Sequence, residues 1–86
     1  VRQVDKESEL LRGNGYREAI LVGQGSFANV YRAWEKKARR VVACKLSKET
    51  EMLKREAELL KRIQHPLFVT FYDYFEKRDY GVLVME

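Results

Sequence analysis

The chain is poor in the residues that carry covalent cross-links and metals. Among 86 residues there is one cysteine, Cys44, and one histidine, His65. A lone cysteine excludes an internal disulfide framework and any cysteine-based zinc cluster. A lone histidine removes multi-histidine metal sites and argues against a Cys–His catalytic pair. With one proline and five glycines, against 45% hydrophobic and 35% charged residues, the sequence is no collagen-like repeat, flexible linker or disordered tail. No apolar run approaches the ~18 residues of a membrane-crossing helix. The first residues, Val1-Arg2-Gln3-Val4-Asp5, do not open an apolar signal segment. A cytoplasmic location, without a membrane segment, is the resulting expectation.

The length is that of one small domain or part of one, with a thin core. Net charge is +4, from seventeen Lys and Arg against thirteen Asp and Glu, and the isoelectric point is near 9.3. A basic domain raises the question of nucleic acid. The cations are dispersed, however: Lys36, Lys37, Arg39 and Arg40 share a polar stretch, while Lys54, Arg55, Lys61 and Arg62 alternate with acids. Solvated turns and helix faces have this pattern, and no nucleic-acid partner is expected.

Asp5 to Arg12 favours a short helix that stops at Gly13-Asn14-Gly15. Tyr16–Val22, Val30–Trp34 and Val41–Leu46 have strand composition. Glu49–Ile63 is helical in composition, with a stop at Gln64-His65-Pro66. Phe68–Phe75 and Tyr80–Met85 form a hairpin around a four-residue turn, Glu76-Lys77-Arg78-Asp79. The last strand runs into Glu86 without a closing turn, which suggests that the parent chain continues. No repeat or low-complexity tract interrupts the pattern.

Two charged residues stand where apolar ones are expected. At 100° per residue, Met52, Leu53, Leu59, Leu60 and Ile63 fall on one helix stripe, and Glu56 lies in its middle. A carboxylate there is costly unless it meets a cation or stays wet at a cleft edge. With period-two alternation, Val41, Ala43 and Lys45 share one strand face. Alone, Lys45 reads as a lysine reaching to water from a strand end. Together the two suggest an ion pair that fixes the ammonium as a point charge suited to phosphate oxygens.

Upstream lies Gly23-Gln24-Gly25-Ser26-Phe27-Ala28-Asn29-Val30, where two glycines after a strand let backbone N–H groups approach a bulky anion. A phosphate-binding P-loop is excluded, because no Gly-Lys-Ser/Thr follows at the required spacing. A dinucleotide fingerprint is the rival, since Gly23-x-Gly25-x-x-Ala28 fits its pattern. Asn29–Arg40 can be drawn as its helix, Val41–Lys45 as its second strand and Glu49 as its ribose-binding acid. Against that reading, Val30, Tyr31 and Trp34 are better strand than helix residues, and Lys45 and Glu56 are left without a role.

These residues resemble the N-terminal lobe of a eukaryotic-type Ser/Thr protein kinase. Gly23-x-Gly25-x-x-Ala28-x-Val30 resembles the family's glycine-rich loop, and Val42-Ala43-Cys44-Lys45 its third-strand lysine motif. Arg55-Glu56-x-x-x-Leu60 followed by His65-Pro66 is similar to the end of its C-helix. Val82-Leu83-Val84-Met85-Glu86 is similar to its fifth strand, with Met85 as gatekeeper and Glu86 as first residue of the hinge.

The resemblance implies an α+β fold in which a five-stranded antiparallel sheet carries one main helix. Residues 1–15 would be an extension and 16–86 the lobe. It implies ATP as ligand, with Gly23, Gln24, Gly25, Ser26, Phe27 and Ala28 over the phosphates. Val30 and Ala43 would lie above the adenine, Met85 and Glu86 at its edge, and Lys45, paired with Glu56, on the α- and β-phosphates. Mg2+, the catalytic base and the metal-binding aspartate belong to a C-terminal lobe, so this piece alone is expected to be inert. The parent would transfer the γ-phosphate to protein Ser/Thr hydroxyls. A non-catalytic kinase-like module that binds nucleotide or partners is the alternative.

Two departures from the family pattern stand out. Ala28 replaces the third glycine, and only eleven residues separate Lys45 from Glu56, fewer than the family usually shows. The strand-to-helix connection must then be about three residues, Ser47–Glu49, with Ser47 as N-cap. That tether is expected to hold the helix near one position. The aromatics Phe68, Phe71, Tyr72, Tyr74 and Phe75 are read as core. Apolar surface left uncovered in an isolated lobe predicts self-association, with strand or helix exchange as a route.

Overall fold

The computed structural model describes residues 3–63, 67 and 69–86. The elements in chain order are α1 (Gln3–Arg12), β1 (Tyr16–Gln24), β2 (Asn29–Glu35), β3 (Arg40–Ser47), α2 (Thr50–Arg62), β4 (Phe71–Lys77) and β5 (Tyr80–Met85). The strands form one five-stranded sheet in the order β1-β2-β3-β5-β4, every neighbouring pair antiparallel. This is the expected α+β architecture, and it removes the dinucleotide-binding alternative. Residues 29–35 are a strand rather than a helix, and β2 and β3 run antiparallel. Alternation decides the matter: Tyr31 and Ala33 are buried while Arg32 between them is exposed, a pattern only a strand can deliver.

The sheet has two differently covered faces. On one, Tyr31, Ala33, Val42, Cys44, Leu46, Val82 and Val84 meet Leu10 and Leu11 of α1 in a continuous core. On the other, Leu83 meets Leu53 and Ala57 of α2, with Leu60, Phe71, Tyr74 and Met85 packed around them. Alternation along β3 thus sends Val42, Cys44 and Leu46 toward α1, and Ala43 and Lys45 to the opposite face. The helix α1 ends where the glycines predict. Asn14 donates its side-chain amide to the Leu10 carbonyl, and Gly15 takes φ 94°, a conformation other residues adopt only under strain.

Three local expectations need correction. The buried line of α2 is Leu53 and Ala57, flanked by Leu60, whereas Met52 is 48% and Leu59 58% exposed. Met52 and Leu59 each sit one residue, hence about 100°, away from the line's own leucines. The β4–β5 turn is two residues, Arg78 and Asp79, because Lys77 pairs with Tyr80. Polar Glu76 and Lys77 do not end an edge strand whose outer face is wet. Ser47 is not the N-cap of α2: that position is Glu49, which makes no side-chain capping bond. The stop at Gln64-His65-Pro66 and Phe68 itself lie outside the described residues, and β4 starts at Phe71, after Val69 and Thr70.

Burial makes the core resist ionisation. It pushes the phenols of Tyr16 and Tyr74 up from 10.0 to about 12, aided by the Glu35 charge in the first case and the Glu76 hydrogen bond in the second. It pushes the Cys44 thiol up from 9.0 to about 12, with the Glu35 charge adding to it. Each group stays neutral in the folded chain at a pH where its unfolded counterpart has lost its proton. Its stabilising share is therefore complete below about pH 9 and is lost as pH rises through about 12. The thermal midpoint is expected to stay level from pH 7 to about 9 and to fall steadily above that. A midpoint that rises through this alkaline range would contradict it.

Candidate functional site

The site is built on the sheet face that α2 only partly covers. Val30 of β2 pairs with Lys45 of β3, Lys45 with Leu83 of β5, and Ala43 with Met85. Residues paired in register share a face, so three adjacent strands place Val30, Ala43, Lys45, Leu83 and Met85 together. Gly23 pairs with Val30 and extends this face to β1. The lysine is thereby framed by apolar side chains.

Lys45 Nζ donates to both carboxylate oxygens of Glu56, at 3.0 and 3.2 Å. The lysine side chain is 22% and the glutamate 36% exposed. The pair thus sits at a cleft edge, dry enough to matter electrostatically and open enough for a ligand to reach. Sequence spacing explains the meeting. Lys45 lies two residues before the end of β3, only Lys48 and Glu49 separate β3 from α2, and Glu56 falls on the second turn of α2. Its neighbour Ala57 lets the helix approach the sheet closely.

The glycine-bearing segment reaches this pair at its tip. Gln24 and Asn29 pair as the last rung of β1 and β2. Within the loop, Gly25 N–H donates to the Ala28 carbonyl at 2.7 Å. Ala28, in place of the third glycine, is buried at 8% exposure, so its methyl group is accommodated. The Phe27 ring centre lies 5.7 Å from Lys45 Nζ, which puts the loop tip and the ammonium in one locality. At the far end Glu86 N–H donates to the Thr70 carbonyl, and its carboxylate accepts from the Thr70 hydroxyl. Among the described residues no three His, Cys, Asp or Glu side chains converge to hold a metal ion, and no helix is long and apolar enough to cross a membrane.

The structure also adds residues and roles to those expected. Val22, beside Gly23, is an apolar side chain left 60% exposed. Ser47, at the end of β3, donates to the Phe27 carbonyl at 2.6 Å and accepts from Glu49 N–H at 2.9 Å. One hydroxyl therefore ties the loop tip to the start of α2. Glu7 of α1 is buried and accepts from Asn29 Nδ2 at 2.9 Å and the Tyr31 hydroxyl at 2.8 Å. Its signal was legible: Glu7 precedes Leu10 and Leu11 by three and four residues, an acid on an apolar helix face, as Glu56 is.

Comparison with known proteins agrees with this architecture. Residues 16–86 match the family described as protein kinase domain. The chain is 36% identical over 81 residues to serine/threonine-protein kinase ppk22 of Schizosaccharomyces pombe, covering 85% of this chain and 15% of that protein. It is 40% identical over 79 residues to flippase kinase 1 of Saccharomyces cerevisiae (83% and 9%). It is 39% identical over 74 residues to serine/threonine-protein kinase nrc-2 of Neurospora crassa (77% and 12%). The chain thus spans a small part of the length of each relative.

Proposed function

The chain belongs to the protein kinase family, and from that premise we propose that it is the ATP-holding lobe of an enzyme that phosphorylates protein Ser or Thr hydroxyls. The observation that carries this reading is the bidentate Lys45–Glu56 bond on an open sheet face beside the glycine loop. An ammonium fixed by a carboxylate offers its remaining charge to the α- and β-phosphates. Gly25 N–H is given to the Ala28 carbonyl, and the N–H groups at the loop tip, Ser26 and Phe27, add donors to the same phosphate oxygens. Val30 and Ala43 supply a flat apolar surface for adenine, with Met85 and Glu86 at its edge. The names of the relatives favour Ser/Thr over Tyr as acceptor. The two-residue β3–α2 connection keeps Glu56 close to Lys45 and restricts the outward swing of α2.

The chain's own residues position the nucleotide; the substrate base and the Mg2+ ligands are assigned to a second lobe. By itself the lobe is therefore expected to be inert and to bind ATP weakly. Titration of the chain with ATP, followed by amide NMR, tests this. Shifts concentrated at Gly23–Val30 and Lys45 are expected, and tight binding or shifts confined to other elements would overturn the reading. If the second lobe lacks the catalytic base and the metal-binding aspartate, the chain is instead part of a non-catalytic nucleotide-binding module.

Ile20, Val22 and Val41, all more than half exposed, join Met52 and Leu59 as uncovered apolar surface. Such surface favours association of copies of the lobe. Light scattering is expected to show a mass above that of one chain at high concentration, and a monomer there would refute it.

A further inference from the structure

The residues matched to the kinase family begin at Tyr16, yet α1 lies upstream and is built into the same core. Its contact with the sheet is more than apolar cover. Glu7 is only 3% exposed, on the helix face that also buries Leu10 and Leu11. A buried carboxylate is costly unless donors compensate it, and apolar residues in place of the whole hydrogen-bonded group are often neutral or stabilising. A helix needed only as a lid would serve as well with leucine there. What the carboxylate adds is direction. It accepts from Asn29 Nδ2 and from the Tyr31 hydroxyl, two residues of one strand. Burial raises the Tyr31 pKa, with the Glu7 bond and charge adding to it and a Ser8 bond opposing.

Asn29 is the first residue of β2, where the glycine loop re-enters the sheet, and it pairs with Gln24 on one side and Leu46 on the other. Two residues earlier the Phe27 carbonyl is held by Ser47. The loop's returning limb is thus fixed at two points, by α1 at Asn29 and by the end of β3 at Phe27. A groove of about 350 Å³ lies between these anchors, bordered by Glu7, Phe27, Asn29, Ser47 and Lys48; neither Lys45 nor Glu56 lines it.

We propose that Glu7 is a positioning residue for the glycine-rich loop, so that the docking of α1 sets how well the loop meets a nucleotide. The effect on nucleotide rests on the ATP-lobe reading above; the effect on the loop itself does not. The variant Glu7→Leu keeps an apolar helix face and removes the acceptor. In the 86-residue chain it is expected to lower the thermal midpoint modestly, because the Asn29 amide and the Tyr31 hydroxyl lose this shared acceptor. Amide exchange at Gly25–Asn29 should quicken, and ATP affinity should fall about tenfold, the scale of one hydrogen bond to a charged group. Glu7→Gln, which retains an acceptor, should restore most of both. Asn29→Ala removes the same bond from the strand side and decides the matter if Glu7→Leu does not fold.

Unchanged loop exchange in Glu7→Leu and Asn29→Ala would overturn the proposal and leave α1 as cover. If the unaltered chain shows no ATP-dependent shifts, the nucleotide reading fails, while the exchange comparison still decides the role of Glu7. Faster loop exchange with no loss of ATP affinity, in a chain that does bind ATP, would also overturn it.

Discussion

Lys45→Met, placed in a two-lobed protein that carries this lobe, is expected to lower phosphoryl transfer by roughly 10²–10³-fold, the loss typical of removing one fixed charge donor from a developing anion. The fold is expected to survive. Lys45 is 22% exposed and its partner 36%, so the freed carboxylate can rehydrate at the cleft edge. Ion pairs as open as this are worth about 0–1 kcal/mol to stability. The diagnostic result is a rate collapse with a nearly constant thermal midpoint. Wild-type turnover in the variant would remove Lys45 from the chemistry and with it the proposed function.

Glu56→Gln separates the carboxylate's two contributions. The amide keeps the size and one acceptor but removes the charge that orients and retains the ammonium. A smaller loss than for Lys45→Met is expected, because lysine still faces the phosphates. If Glu56 acts only through Lys45, the double variant should be no worse than Lys45→Met alone, and a double-mutant cycle measures that coupling directly.

The sheet was legible because buried and exposed residues alternate in β2, because β3 and β5 are compact apolar runs, and because Gly and Asn mark a break before β1. Where the reading slipped, the cause is a competition that composition does not reveal. Met52 and Leu59 look like core from hydrophobicity, yet the sheet reaches only the narrow line of Leu53, Ala57 and Leu60. Ala57, small and easily passed over, is buried because the helix comes closest there. Lys77 looks like turn, yet it pairs as the last rung of an edge strand while Arg78 takes the left-handed φ of 57°.

At the site, the Lys45–Glu56 meeting was legible for a physical reason. An ion on an apolar stripe demands a partner, and the chain offers one partner at a spacing the two elements can bridge. The anchors Glu7–Asn29 and Ser47–Phe27 join residues 22 and 20 positions apart. The loop's main chain supplies one of the partners, and no pattern of side chains announces a carbonyl. Ser47 was read as a helix cap, and it does accept from Glu49 N–H, but as the last residue of β3 rather than as the first boundary of α2.

Leu83→Ala is expected to cost about 3 kcal/mol, within the 2–5 kcal/mol span for deleting a buried leucine. Leu83 is fully buried, paired in register with Lys45 on one side and Tyr74 on the other, and covered by Leu53 and Ala57. A domain of this size has roughly 4–13 kcal/mol in total. Its thermal midpoint should therefore fall by about 12–24 °C. Leu59→Ala is the control: same residue type, on the helix that Leu83 supports, but 58% exposed. It should shift stability by less than about 0.5 kcal/mol. Chemical denaturation of both variants checks the contrast, and equal losses would mean that α2 meets the sheet through a different face. The cavity left at position 83 also opens directly beneath the helix that carries Glu56, so any Leu83→Ala chain that still folds should hold its Lys45–Glu56 bond less firmly and bind ATP more weakly, although neither ion has been touched.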